Sequence, residues 1–235
     1  MFSLLTIEDK ILLDPSLFSK LTQPKNKKAK KNEIETHDSD TGINKYSDLV
    51  YLKLREKYIS KIIVGQGLVI SIKSFKIKSD LIVEIEGVID IKYECCLIIF
   101  CPKEGDILYG TIVDCDHNRI IVDCDLIKVI VPVQQLMEPH AFHTKEQLWF
   151  WSYDGKKENY YYEKNLKCKL KVLEVNFKTG KDIHQKIEEI MENLSEEDNA
   201  KITEEDLMKS LKREDIMEIY CSMSEKGLGP IKWWE

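Results

Sequence analysis

The side chains best suited to binding a ligand are a set of aromatic rings and, later in the chain, a set of alternating lysines. Three rings share one face of a strand-like segment: Trp149, Trp151 and Tyr153. Three lysines share one face of a later segment: Lys167, Lys169 and Lys171. Aromatic rings stack on nucleotide bases for about 1–3 kcal/mol each, and cations follow the phosphates. The pattern therefore indicates a surface that holds single-stranded nucleic acid.

The same side chains also fit ordinary structural roles. A face of three rings equally fills a barrel core or a domain interface, and alternating lysines cover the solvent side of many strands. We expect one of Trp149 and Trp151 to be buried and the other to be partly exposed. Our candidate RNA contacts are Arg119, Lys128, Trp151, Tyr153, Tyr160, Lys167 and Lys169.

No familiar active site is visible in the sequence. Gly65-Gln66-Gly67 lacks the lysine of a phosphate-binding loop and is too short for a dinucleotide fingerprint. His140 and His143 lie close together, but no cysteine or carboxylate near them has metal-ligand spacing. The seven cysteines include no CxxC pair, which is typical of reduced, mostly buried thiols. We predict no catalytic residues, no metal and no cofactor.

Charge is distributed unevenly along the chain. The net charge is -6, yet residues 182–218 alone carry thirteen acidic and five basic residues, a local balance of -8. The remainder is therefore mildly basic, at +2, which is compatible with nucleic-acid contact. Residues 19–43 contain a lysine-rich run without apolar periodicity, and we expect a flexible loop there. It is either a plain charged insertion, a nuclear import signal or a phosphate contact.

Two further features bear on location. The first residues contain the acidic pair Glu8-Asp9 and no long apolar stretch, so we expect no signal peptide. No segment approaches the ~20 apolar residues of a membrane helix, so we expect a soluble, intracellular protein.

The first hundred residues predict one helix and a small antiparallel sheet. Four apolar side chains recur every fourth residue and would form one buried stripe of a helix: Tyr46, Val50, Leu54 and Tyr58. Strands are expected where the period is two: residues 2–13, 68–75, 80–86 and 92–101. This is an α+β unit, and we place its end at residue 101.

The second half predicts an all-β domain over residues 102–235. Six short strands are expected, separated by turn signals: residues 107–115, 119–124, 127–133, 147–153, 159–163 and 166–177. This spacing is typical of a small closed OB-type barrel, with a β-sandwich as the alternative. Residues 178–216 interrupt the strands with an acidic, partly helical insertion whose apolar stripe includes Ile183, Ile187 and Ile190.

Several motifs together resemble the large stalk subunit of archaeal and nuclear RNA polymerases. The resemblance spans residues 1–18, 44–177 and 217–234. Its general motifs are Met1-Phe2-x-Leu4, Gly67-Leu68 and Gly105-Asp106-Ile107-Leu108-x-Gly110. Two motifs are similar to the polymerase III version: Glu146-Gln147-x-Trp149-x-Trp151-x-Tyr153 and Ser222-Met223-Ser224-Glu225-x-Gly227-Leu228-Gly229-x-x-x-Trp233-Trp234.

The resemblance implies a truncated-RNP domain in residues 1–101 and an OB domain in residues 102–235. It also implies a non-catalytic, nuclear protein that pairs with a smaller helical stalk subunit and docks on the RNA polymerase III core. Contact with nascent RNA and a role in initiation on small-RNA genes follow from the same family. The expected interface residues are Phe2, Leu4, Gly67, Trp233 and Trp234.

This chain departs from the family pattern in three places. The lysine-rich loop is long, residues 86–90 lack the family's proline- and glycine-rich loop, and the acidic insertion has no implied role. A free-standing single-stranded RNA-binding protein is the alternative function, and an enzyme with an unrecognised site is a third.

Overall fold

The computed structural model describes the parts of the chain that carry both predicted domains. These are residues 1–14, 41–78, 82–83, 89–153, 159–179, 181–183, 185, 187, 211 and 213–234. Most of the predicted lysine-rich loop and most of the acidic insertion, with Ile190 of its apolar stripe, lie outside these residues. So does most of the strand expected at residues 80–86. Of residues 86–90, which lack the family's loop, only Ile89 and Asp90 are among the described residues.

The described residues divide into two compact units. One comprises residues 2–61 and 68–100, and the other comprises Met1 and residues 62–67 and 101–235. The elements up to residue 100 are β1 (Phe2–Leu13), α1 (Thr41–Tyr58), β2 (Ile62–Ile63), β3 (Gly67–Ile77), β4 (Ile82–Val83) and β5 (Ile89–Phe100).

The first unit is an antiparallel sheet with α1 against one face. β5 lies between β1 and β3 and pairs with β1 over all twelve residues of that strand. Val50, Leu54 and Tyr58 of α1 are buried, which confirms the predicted stripe at these positions. The side chain of Tyr46 lies outside the described part of the chain.

Polar contacts fix the end of α1 to the sheet. The Tyr58 hydroxyl donates to Asp9 Oδ2 at 2.6 Å and lies 2.8 Å from the Tyr93 hydroxyl. Lys57 Nζ forms an ion pair with the same Asp9 oxygen at 2.7 Å. The buried stripe and these bonds together hold α1 in one position on the sheet.

The second unit is built around a closed five-strand barrel. Its strands are β6 (Ile107–Cys115), β7 (Arg119–Asp123), β8 (Lys128–Pro132), β12 (Lys167–Phe177) and β13 (Met217–Ser222). They follow the order β6-β7-β8-β13-β12 and close through β12 and β6. β8 and β13 run parallel, and the other neighbours run antiparallel. The architecture is consistent with an OB fold, and the β-sandwich alternative is wrong.

The barrel core follows the period of two in its strands. On β12 the side chains of Cys168, Leu170 and Val172 are buried, and Lys167 and Lys169 take the opposite face. Gly110 on β6 has no room for a side chain, because an added Cβ would lie 2.6 Å from the Asp123 carbonyl oxygen. The predicted division of the two faces of β12 is confirmed.

A separate three-stranded sheet interrupts the barrel between β8 and β12. Its strands are β9 (His140–His143), β10 (Leu148–Ser152) and β11 (Asn159–Tyr161), with β10 in the middle. The prediction that residues 147–153 and 159–163 belong to the barrel is wrong. The barrel closes without them because β13, from beyond the acidic insertion, pairs with both β8 and β12. The last short strand, β14 (Gly229–Pro230), pairs with β12.

Candidate nucleic-acid interface

The tryptophan-rich strand β10 and the end of the chain form one aromatic cluster. The ring of Trp151 stacks on that of Trp233, with centroids 5.8 Å apart and planes at 29°. Trp234 and Tyr160 approach the same Trp151 ring at 6.1 and 5.5 Å. Gly229 has φ +85°, and an added Cβ would lie 3.5 Å from the Trp233 ring. The positive φ therefore accounts for the glycine, because 3.5 Å is an ordinary contact distance that leaves room for a Cβ.

Hydrogen bonds hold the rings of this cluster in place. Trp151 Nε1 donates to the Glu138 carbonyl at 3.1 Å, and Trp234 Nε1 donates to the Leu228 carbonyl at 2.8 Å. The buried Tyr162 hydroxyl accepts the Met137 N–H at 3.3 Å, and burial raises the pKa of Tyr162. Satisfied polar atoms and packed ring faces make the cluster a rigid part of the unit.

Trp149 is held by a second group of rings. Its Nε1 donates to the Asp116 carbonyl at 2.8 Å, and its ring meets Phe142 and His140 edge-on at 5.1 and 5.3 Å. Trp149 is half-buried, whereas Trp151 is 8% exposed. The expectation that one of the two is buried and the other partly exposed is confirmed.

The predicted aromatic contacts lie at different depths. Tyr153 is 48% exposed, and its ring lies 5.2 Å from Trp151, so one side of this ring is open to solvent. Tyr160 is half-buried between Trp151 and Trp233. Trp151 lies beneath both tyrosines, in a position that supports them.

The predicted cationic contacts fall on two faces of the barrel. Lys167 and Lys169 project from β12, on its solvent side. Arg119 projects from β7, and its Nε pairs with Asp116 at 3.2 Å. Lys128 starts β8 directly opposite Asp123 of β7. The structure therefore brings Lys167 and Lys169 together and places Arg119 and Lys128 elsewhere.

Carboxylates neutralise several other cations of this unit. Lys171 pairs with Glu225, and Lys164 pairs with Asp114 at 2.8 Å. The hydrogen bond from Lys164 lowers the pKa of Asp114 and raises that of the lysine. Within the described residues, Lys167 and Lys169 have no carboxylate within ion-pair distance. Their charges are available to a ligand.

One exposed ring beside these lysines is not among the predicted contacts. Tyr109 on β6 is 61% exposed and lies directly opposite Lys169 of β12. Tyr109 alternates with the buried Leu108 and Ile112, so the spacing indicates an outward side chain, but it does not show that Lys169 lies opposite. Because β6 has apolar residues on both faces, its outer face is hard to recognise until the partner strand is known.

The predicted interface residues also separate into two sets. Phe2 and Leu4 are 54% and 55% exposed on β1, which forms an edge of the first unit's sheet. Gly67 opens β3 with φ 131°. Trp233 and Trp234 instead belong to the aromatic cluster. Among the described residues, no cluster of potential metal ligands and no helix able to cross a membrane is found.

Comparison with known proteins agrees with these motifs. Residues 106–234 match the family model of RNA polymerase III subunit Rpc25. The chain is 25% identical to DNA-directed RNA polymerase III subunit rpc8 of Dictyostelium discoideum, over 100% of this chain and 85% of that protein. It is 26% identical to the subunit of the same name from Schizosaccharomyces pombe, over 78% of this chain and 86% of the relative. The Bos taurus subunit RPC8 is 23% identical, over 81% of this chain and 89% of its own length.

Proposed function

Since the chain belongs to the RNA polymerase III subunit Rpc25 family, we propose that it works as the larger, non-catalytic subunit of the polymerase stalk. The match to residues 106–234 carries this proposal, since it covers the barrel, the inserted sheet and the terminal tryptophans. The contact between Trp151 and Trp233 joins the two motifs most similar to the polymerase III version.

Each unit of the chain has its own proposed part. The first unit is the truncated-RNP domain, ending near residue 101, and the barrel unit is the OB domain over residues 102–235. Exposed Phe2 and Leu4 on the edge strand β1 support a docking role for the first unit. Edge strands with apolar side chains are suited to pairing with another protein. The partners are the polymerase III core and a smaller helical stalk subunit.

The barrel unit is proposed to contact nascent RNA. OB barrels hold single strands with exposed rings and cations, and Tyr153, Lys167 and Lys169 offer both. The proposed place of action is the nucleus, in initiation at small-RNA genes. According to this proposal the protein acts by binding, and other subunits carry out the chemistry of transcription.

Affinity purification of the tagged full-length chain from its own cells tests the proposal. We expect polymerase III subunits together with one small helical protein, identified by mass spectrometry. The matched variants are Leu4→Asp, on the docking edge, and Asp125→Asn, in an exposed turn of the barrel unit. Leu4→Asp is expected to lose the polymerase core, and Asp125→Asn is expected to keep it. Recovery of ribosomal or RNA-decay proteins would instead favour the free-standing RNA-binding alternative.

A further inference from the structure

We infer that the emerging single strand crosses the outer face of the β6–β12 pair, with Tyr109 as its base-stacking residue and Lys169 and Lys167 as its phosphate contacts. This inference rests on the proposed RNA contact and names the residues that make it. It also moves the contact away from the β7–β8 face, which corresponds to the usual ligand-binding strands of an OB barrel.

The pairing of β6 with β12 builds a platform of the required kind. Tyr109 lies directly opposite Lys169, and Thr111 lies directly opposite Lys167. Directly opposed residues in an antiparallel pair have Cβ atoms about 4.5–5.5 Å apart on the same face. Tyr109 is 61% exposed, so its ring is open for a base to stack on it. A ring flanked by cations at this spacing suits alternating bases and phosphates.

The rigidity of β6 and β12 favours this platform. Leu108 and Leu170, directly opposite each other, are buried in the barrel core beneath Tyr109 and Lys169. Gly110, the next residue of β6, contacts the β7 backbone so closely that it admits no side chain. The backbone that carries the ring and the charges is therefore fixed before a ligand arrives, which reduces the entropy cost of binding.

The β7–β8 face offers no aromatic ring, and each of its cations lies beside a carboxylate. Its outward residues in register are Ile121 opposite Ile130 and Asp123 opposite Lys128, so neither pair offers a ring. Arg119 on the same face is already paired with Asp116. A carboxylate beside each cation repels phosphate. The β7–β8 face therefore attracts a polyanion less strongly than the β6–β12 face does.

Binding of a fluorescent oligouridylate of about 16 nucleotides to the full-length chain tests the inference. Tyr109→Ala is expected to weaken binding about 5- to 150-fold, the equivalent of one lost base stack. Tyr109→Phe keeps the ring and is expected to bind like the unmodified protein. Lys169→Gln is expected to reduce the slope of log affinity against log salt by about 0.7. Arg119→Gln and Lys128→Gln, on the other face, are expected to change affinity less than Tyr109→Ala does.

The outcomes separate this inference from the proposal on which it rests. If RNA binds and Arg119→Gln or Lys128→Gln weakens it while Tyr109→Ala does not, the inference is wrong and RNA contact stands. If Tyr109→Ala leaves RNA affinity unchanged but reduces recovery of polymerase subunits, the β6–β12 face binds protein instead. If the unmodified chain binds no oligouridylate at any salt concentration, both the inference and the proposed RNA contact are wrong.

Discussion

The indole rings of Trp151 and Trp233 lie stacked 5.8 Å apart, although one belongs to the inserted sheet and the other to the last residues of the chain. Tyr162 meets the edge of the same Trp233 ring at 4.7 Å. Trp233 therefore joins the inserted sheet to the region where β14 pairs with β12. Through this contact the end of the chain contributes to the stability of the unit.

Trp233→Ala is expected to lower the free energy of unfolding of the barrel unit by about 3 kcal/mol, because it removes ring contacts and leaves a void. All four tryptophans lie in this unit, so urea unfolding followed by tryptophan fluorescence reports on it alone. The neighbouring exposed residue supplies the control, as Lys232→Ala should change stability by less than about 0.5 kcal/mol. Equal effects of the two changes would show that the aromatic cluster adds no stability.

Gly110→Ala tests the close approach of β6 and β7. The added methyl group would lie 2.6 Å from the Asp123 carbonyl oxygen and 2.7 Å from Val122 Cγ1. Moving the backbone away from the methyl group would be energetically costly. We therefore expect the free energy of unfolding to fall by about 3 kcal/mol or more in the same urea experiment.

Gly105→Ala is the matched control for that strand substitution. Gly105 has φ +87° and open space around its Cα, so its cost is conformational alone, about 1–2 kcal/mol. A Gly105→Ala variant less stable than Gly110→Ala would contradict the steric argument.

Local periodicity was enough to predict much of this architecture. The stripe of Val50, Leu54 and Tyr58 and the alternation along β12 follow from spacing alone, because side-chain direction repeats every 3.6 residues in a helix and every two in a strand. The pairing of the strands could not be predicted from this spacing. The residues of β10 have the same pattern as a barrel strand, and only the long-range pairing of β13 with β8 and β12 excludes them from the barrel.

The same limit explains which residues of the candidate site could be predicted from the sequence. Lys167 and Lys169 were found because they share a face of one strand. Tyr109 was missed because its importance depends on its register opposite Lys169, which sequence spacing within β6 does not contain. Trp151 looked like a contact residue, and its 8% exposure results from a chain end that lies far away in sequence.

Cys168 and Cys221 are expected to resist alkylation in the folded protein. Both are fully buried in the barrel, and burial raises the pKa of Cys168 to about 12 and also raises that of Cys221. The thiolate is the reactive form, so iodoacetamide at pH 8 should modify these two at least about tenfold more slowly before unfolding than after it. Peptide mass spectrometry measures both rates, with half-buried Cys101 as the internal comparison. Rapid labelling of Cys168 in the folded protein would show that the barrel opens readily.

The ion pair that anchors α1 should make the first unit less stable in acid. Burial alone would raise the pKa of Asp9, but hydrogen bonds from Lys57, Tyr58 and the Lys10 N–H lower it from 3.8 to about 2. A carboxyl group whose folded pKa is depressed stabilises the fold above its unfolded pKa, and this stabilisation is lost as pH falls toward the folded pKa. The full shift would correspond to about 2.4 kcal/mol. Because the Asp9 side chain is 39% exposed, solvent screening reduces the expected contribution to about 1 kcal/mol.

Asp9→Asn therefore should destabilise the first unit near pH 6 and lose that effect between about pH 4 and pH 2, where the unmodified carboxyl becomes protonated. Hydrogen exchange of the α1 amides follows this unit separately from the barrel, and an NMR titration of the Asp9 carboxyl carbon measures the pKa directly. Tyr58→Phe removes one donor and should raise the pKa of Asp9, whereas Asp48→Asn, exposed on the same helix, serves as the control. If α1 protection in Asp9→Asn differs from the unmodified protein by the same amount at pH 6 and pH 2, the charge of Asp9 is not what holds the helix to the sheet.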